Sequence, residues 1–131
     1  MATEPKPDIT QAYADAGGTG PRYCEQVVAY AASDADGLAL AHERARFGVP
    51  GWKVMSELPN VRNFEAATET VRSEDMAETA AYGPDPERYV ESVTQYLDAG
   101  FEHVCLVPVG TDQDAFFRFW RDELQSRLRT L

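Results

Sequence analysis

The apolar positions of the chain follow two periods. In "GPDPERYVESVTQYLDAG" Tyr89, Val90, Val93, Tyr96 and Leu97 recur at helical spacing. Asp85 stands where an N-cap belongs, and Pro86 at the first helical position, where its missing N–H costs nothing. Gly100 ends the helix. The next stretch, "FEHVCLVPVG", is different: its centre "VCLVPV" is apolar without alternation. That pattern predicts a strand covered on both faces, as in a parallel sheet. A last helix follows in "GTDQDAFFRFWRDELQSRLRTL", with Thr111 as its cap, Asp114 three residues on, and Phe116, Phe117, Trp120, Leu124 and Leu128 as its buried face.

The first half reads the same way with weaker signals. "MATEPKP" is a polar arm. A short helix runs from Asp8, its candidate N-cap, to about Ala16, with Ile9, Ala12 and Tyr13 on one face, and "AGGTGP" breaks it. "RYCEQVVAYAA", Arg22 to Ala32, is rich in tyrosine and β-branched residues and predicts the first strand. Ser33 caps the next helix, with Asp36 at the reciprocal position of a capping box, and Leu38, Ala41 and Ala45 form its narrow apolar stripe. Gly48 and Pro50 stop it. Residues 48–83 have no clean period and read as an irregular insertion holding two short helices, "NFEAATETV" and "SEDMAETAA", the second capped by Ser73.

The order is α-β-α, a long loop, then α-β-α: an α/β fold with two main parallel strands and flanking helices. Two strands make no stable parallel sheet on their own. Their edges call for a second copy of the chain or for another polypeptide. The 131 residues fit a single domain, 1–131. A closed eight-stranded β/α barrel takes about 250 residues, so the chain amounts to part of one.

Charge narrows the partners. With 22 acidic and 12 basic residues the net charge is −10, a field that repels nucleic-acid backbones. Lys6 and Lys53 are the only lysines. Low lysine with abundant Asp and Glu is shared by proteins of salt-loving archaea and by ordinary acidic proteins, and both readings stay open. The opening residues contain no apolar signal region, and no run approaches the length of a membrane span. The two cysteines, Cys24 and Cys105, sit in apolar runs and imply no disulfide framework, which points to a cytoplasmic setting.

Candidate chemistry is sparse. "GGTGP" precedes a strand, whereas a phosphate cradle needs its glycines between a strand and a helix, so it reads as a turn. "HERAR", from His42, lacks the second histidine of a zinc helix and reads as a solvated face. Only His42 and His103 are histidines, and no metal site is assigned. Cys24 and Cys105 lie on strands that could be neighbours; a redox pair and core packing both fit, and packing is the simpler reading. "VGTDQDAFF" follows a buried strand and opens a helix, the place where ligands bind in barrels and doubly wound folds. Its free amides favour an anion, and Asp112 and Asp114 oppose one. Gly110 and Gln113 are the candidate cofactor-binding residues there, Gln113 being its neutral polar group. "GWKVM" places Trp52, Lys53 and Met55 in the long loop as a candidate substrate-side wall, with Lys53 its cationic handle; a plain loop anchor is the alternative. No residue stands out as catalytic.

Taken together, "GPDPERYVESVTQYLDAGFEHVCLVPVGTDQDAFFRFWRDELQSRL", "ELPNVRNFEAATETV" and "AGGTGP" give a resemblance. The chain resembles the C-terminal part of luciferase-like monooxygenases. Within them it is most similar to the coenzyme F-420 (deazaflavin)-dependent oxidoreductases related to the F-420-type glucose-6-phosphate dehydrogenase. The paired "DP" before the helix, "DAGF" before the last strand and "VGTDQ" after it carry the likeness. The resemblance implies a TIM-barrel fold to which this chain supplies the last two β/α units. It implies hydride transfer between a deazaflavin, or FMN as the alternative, and an organic substrate. It also implies that the catalytic groups and most cofactor contacts belong to an N-terminal half without counterpart here. The cationic residues that hold sugar phosphate in the closest branch fall near Met55 and Thr79, which are uncharged, so glucose 6-phosphate is not the expected substrate. The expectation is a fragment or subunit that is inactive alone and is completed by self-association or by a separate N-terminal half-barrel chain. The alternative is a non-catalytic homo-oligomeric assembly protein.

Overall fold

A computed structural model describes residues 2–131. Its centre is a parallel sheet of β1 (Tyr23–Ala29), β2 (Ala81–Tyr82) and β3 (His103–Pro108), ordered β2-β1-β3. β1 and β3 pair along Tyr23–Val28 and His103–Pro108, while β2 meets β1 only at Val28 and Ala29. The α/β class with parallel strands is as expected, and the first and last strands are direct neighbours. The third strand, β2, is new to the picture, because a two-residue strand leaves no period in a sequence.

The helices are α1 (Pro7–Asp15), α2 (Asp34–Ala45), α3 (Trp52–Met55), α4 (Val61–Ala67) and α5 (Pro86–Asp98). The chain ends in α6 (Gln113–Phe119), a π-helical turn (Trp120–Leu124) and α7 (Gln125–Leu128). Ser33 caps α2 by accepting from the Asp36 N–H, and its hydroxyl donates to the Asp36 carboxylate at 2.7 Å. Asp85 caps α5 with Pro86 at its start, and Gly100 follows with φ 88°.

Other caps differ from expectation. α1 starts at Pro7 after Lys6, so Asp8 lies in its first turn rather than at its cap. Proline favours that first helical position because its φ is already helical. Asp112, not Thr111, caps α6 by accepting from the Ala115 N–H at 2.9 Å. Ser73 opens a 3-10 turn, Ser73–Glu78, and the capping bond there runs from the Arg72 N–H to Asp75 at 2.8 Å. The insertion 48–83 is therefore mostly short turns and helices rather than loop.

Alternate residues of a strand face opposite ways, and here each face has its own cover. Val28 packs with Tyr89 of α5 and with Phe116, Phe119 and Leu124 of the last helix, and Cys24 with Tyr96, Ala99 and Phe101. Ala29 packs instead with Ala41 and Ala45 of α2 and with Met76 and Ala80 of the insertion. β3 does not have the complete cover its sequence predicted. His103 and Cys105 are exposed and the rest of the strand is half-buried, since β3 forms an edge. α1 departs too: Ile9 and Tyr13 are exposed, and the one buried residue is Thr10, whose hydroxyl donates to the Ala99 carbonyl at 2.7 Å.

The last helix buries Phe116, Phe119 and Leu124, while Phe117 is 59% exposed. A regular helix would return to its buried face after three or four residues. The π turn inserts an extra residue, so the face steps from Phe119 to Leu124 and then to Leu128.

Candidate functional site

In open parallel sheets ligands gather at the carboxyl ends of strands. Three segments converge there: the start of α2 after β1, Gly83 after β2, and Gly110 after β3. Gly37 of α2 sits against Gly83, and a Cβ on Gly37 would overlap the Gly83 N and Cα atoms. Gly83 itself has φ 74°, a backbone conformation that suits glycine. Arg88 of α5 donates to both carboxylate oxygens of Asp34, at 3.0 and 3.2 Å, and to the Tyr82 carbonyl at 2.7 Å. Its guanidinium carbon lies 4.0 Å from the Tyr82 ring centroid, a cation–π geometry. That hydrogen bond from Arg88 holds the Asp34 carboxyl below its ordinary range. Below it Tyr89, fully buried, donates its hydroxyl to the Gly83 carbonyl at 2.7 Å, and burial raises its pKa.

Gly110 and Gln113 are brought to this end together. Gln113 donates its side-chain amide to the Gly110 carbonyl and closes the turn. Gly110 is half-buried beside Leu40 of α2 and the Tyr30 carbonyl. Asp112 and Asp114 are exposed on the same turn, so the local charge is negative and the first free amide is already taken by Asp112.

Trp52, Lys53 and Met55 are not brought there. They form α3, which follows the far end of α2. Trp52 is 67% exposed, and its backbone amide helps Lys6, the larger influence, to hold the Glu4 carboxyl below its ordinary range. Glu4 belongs to the arm that pairs with Cys24 at the amino end of β1. The group thus lies at the end of the sheet opposite Gly110.

The cysteines do not meet as a pair. Cys24 lies opposite Val104 and Cys105 opposite Glu25, so their side chains leave by opposite faces. Cys24 is fully buried and donates to the His103 carbonyl at 3.4 Å; burial, with Cys105 nearby, pushes its thiol up to about 11. Cys105 is exposed, which corrects the expectation of packing for both. His42 is half-buried, with its Nε2 2.8 Å from the Val71 carbonyl, so it ties the insertion to α2 rather than facing solvent. Among the described residues no three His, Cys, Asp or Glu side chains group as metal ligands, and no helix is long and apolar enough to cross a membrane.

Two grooves lie away from the carboxyl end. One, of about 450 Å³, is bounded by Tyr13, Gly18, Arg22 and Glu102; the other, of about 700 Å³, by His42, Arg46, Arg62, Glu65 and Glu69. The Arg88–Asp34–Tyr82 cluster escaped the sequence reading. Its signal was available in retrospect: both charged residues lie in the first turn of a helix that directly follows a strand.

No family model matches the chain. Curated proteins do. A protein of Nocardia farcinica is 32% identical over 95 residues, covering 70% of this chain and 28% of its own length. One of Rhodococcus hoagii is 31% identical over 96 residues, and one of Mycolicibacterium gilvum 26% over 121 residues, which is 90% of this chain. Each is named F420-dependent glucose-6-phosphate dehydrogenase. The chain is similar to F420-dependent oxidoreductases. The resemblance read from the sequence thus holds, over part of each relative: the chain spans 28% of the length of the first and 36% of that from M. gilvum. Among solved structures, an F420-dependent secondary alcohol dehydrogenase in complex with an F420-acetone adduct shares the fold, with a TM-score of 0.70 at 13% identity. The likeness covers 97% of this chain and 41% of that one, which is a TIM barrel. The chain is therefore an α/β unit of the partial-barrel type.

Proposed function

We propose that the chain supplies β/α units to an F420-dependent oxidoreductase that moves a hydride between the deazaflavin and an organic substrate. The observation that supports this best is the combination of F420-dependent relatives with an edge strand, β3, that has no second partner among the described residues. In this reading Gly110 and Gln113 face the cofactor at the carboxyl end, beside the Arg88–Asp34 clamp. The deazaflavin would bring the hydride chemistry. Gln113 offers an uncharged amide for a polar ring edge, and Gly110 leaves the backbone open to close approach. F420 is preferred to FMN because the relatives are F420-dependent. Trp52, Lys53 and Met55 act on a substrate only if another part of the assembled protein reaches the opposite end of the sheet, and Lys53 is then the group that meets an acid.

Turnover needs preorganised groups from several strand ends at once. The chain offers three, one of only two residues, so it is expected to be inactive alone and active when the remaining barrel strands are present, on the same polypeptide or a separate one. The test is to purify the chain, add oxidised F420 with a panel of alcohols and sugar phosphates, and follow loss of the cofactor's visible absorbance. The same assay is then run with the N-terminal portion of a relative added. Turnover only in the mixture is the expected result. Turnover by the chain alone overturns the inactivity, and no F420 binding in the mixture overturns the cofactor assignment.

A second reading, a non-catalytic homo-oligomer, draws on Phe117, an aromatic 59% exposed on the last helix. A dimer that buries Phe117 and binds no F420 would favour it.

A further inference from the structure

A tyrosine hydroxyl that enters a fold usually finds a partner there. The two buried tyrosines do: Tyr89 donates to the Gly83 carbonyl at 2.7 Å and Tyr96 to the Thr3 carbonyl at 3.0 Å. Tyr30 behaves differently. It follows β1 directly, at the carboxyl end of the sheet, and is half-buried. The last helix holds its ring, stacked 4.6 Å from Phe119 and edge-on to Phe116 at 6.5 Å. Its hydroxyl makes no hydrogen bond among the described residues. No buried side-chain N or O among them lacks a partner, so this hydroxyl opens to the surface. A ring already fixed by packing gives up little freedom when it meets a ligand.

Tyr30 lies beside Gly110 and Gln113. A Cβ on Gly110 would come within 3.8 Å of the Tyr30 carbonyl oxygen. Phe116, which the Tyr30 ring faces, stands one helical turn after Gln113. Tyr89 is a neighbour too: burial raises its pKa, and Tyr30 adds to the effect.

We propose that Tyr30 binds the cofactor at this site, its hydroxyl donating to an uncharged carbonyl on the edge of the deazaflavin ring. The inference rests on the F420 reading above and adds a residue to it. Asp112 and Asp114 make the adjoining turn negative, which turns an anion away. A phenol hydroxyl donates to a neutral oxygen without needing a countercharge.

Nitration of the whole purified chain tests the free hydroxyl without any cofactor. Tetranitromethane followed by peptide mapping should modify Tyr30 and spare Tyr89 and Tyr96. An unmodified Tyr30 overturns the proposal and needs no variant. Tyr30→Phe should unfold at the same urea concentration as the wild type, because its hydroxyl has no bond within the fold to lose. A shift to lower urea would give that hydroxyl a structural partner and overturn the proposal as well. The chain mixed with the N-terminal portion of a relative then reports F420 binding through the cofactor's fluorescence. Losing one neutral hydrogen bond should raise the Kd for F420 about three- to tenfold in Tyr30→Phe. Tyr23→Phe, at the amino end of β1, should leave it unchanged. F420 should also protect Tyr30 from nitration in the wild-type mixture. An unchanged Kd in Tyr30→Phe, or no protection, in a mixture that binds F420 overturns the role of Tyr30 alone. No F420 binding by the wild-type mixture overturns the F420 reading, and the role of Tyr30 with it.

Discussion

Arg88 grips Asp34 through both carboxylate oxygens, at 3.0 and 3.2 Å, and so joins the start of α5 to the start of α2 across the carboxyl end of the sheet. A flat guanidinium can make this pair of bonds and a lysine ammonium cannot. Arg88 also holds the Asp34 carboxyl below its ordinary value. The stabilisation from that carboxylate is thus fully present above the unfolded value of about 4 and is lost as pH falls through the lower folded value. Arg88→Met should unfold at lower urea than the wild type at pH 7. It should also lose less stability between pH 7 and pH 3, because its share of the acid sensitivity is already gone. Equal losses in the two proteins would count against the clamp.

Tyr89 reaches the Gly83 carbonyl from a fully buried position, 2.7 Å away. Tyr89→Phe keeps the ring and its contact with Phe119, whose centroid lies 5.0 Å off, but leaves the carbonyl without its donor. A buried group left unpaired costs about 1–3 kcal/mol. Chemical denaturation should show that loss with an unchanged slope.

Much of this architecture was legible in the chain, and the misses have physical causes. α5 announced itself through Asp85, Pro86, its Tyr89–Val93–Tyr96 stripe and Gly100, because each signal is local. β1 and β3 were legible as apolar runs, but the cover of β3 was not: β3 is the edge of the sheet and Cys105 is exposed there, and an apolar run does not tell an edge strand from a central one. A regular period puts Phe117 on the buried face, and the π turn in this helix takes it off. Thr111 and Asp112 both satisfy the rule for a cap, and only backbone geometry chose Asp112. At the site, Gly110 and Gln113 could be placed at a strand's carboxyl end from order alone. The Arg88–Asp34 pair, 54 residues apart in sequence, could not be.

Gly37 passes so close to the Gly83 backbone that it accommodates no Cβ. Gly37→Ala should cost about 1–3 kcal/mol through overpacking, although alanine is the better helix former by about 1 kcal/mol at an exposed site. Thermal denaturation that shows Gly37→Ala as stable as the wild type would mean the two backbones are further apart than described.

The two thiols should behave very differently. Cys24 is fully buried with its pKa pushed up to about 11, whereas Cys105 is exposed on β3. Thiolate is the reactive form, so a disulfide reagent at pH 8 should label one thiol per folded chain and two after unfolding. Cys105→Ser should abolish labelling of the folded chain without lowering its melting temperature. The assembled protein proposed above would add strands beside β3, and in it Cys105 should slow as well.

The π turn makes a sharper prediction, because it separates two residues that a regular helix would keep on one face. In a regular helix Phe117 and Leu124, seven residues apart, would share one face. The inserted residue instead places Leu124 at 0% exposure against Val28 and Tyr89, and leaves Phe117 at 59%. Leu124→Ala should therefore cost about 2–5 kcal/mol, the range for a large side chain removed from a packed core. Phe117→Ala should change the stability of the isolated chain by no more than about 0.5 kcal/mol. Any effect of Phe117→Ala should appear instead in concentration-dependent association, measured by sedimentation. Large stability losses at both Phe117 and Leu124 would show that the last helix runs without its π turn, and the face it presents to the sheet would have to be redrawn.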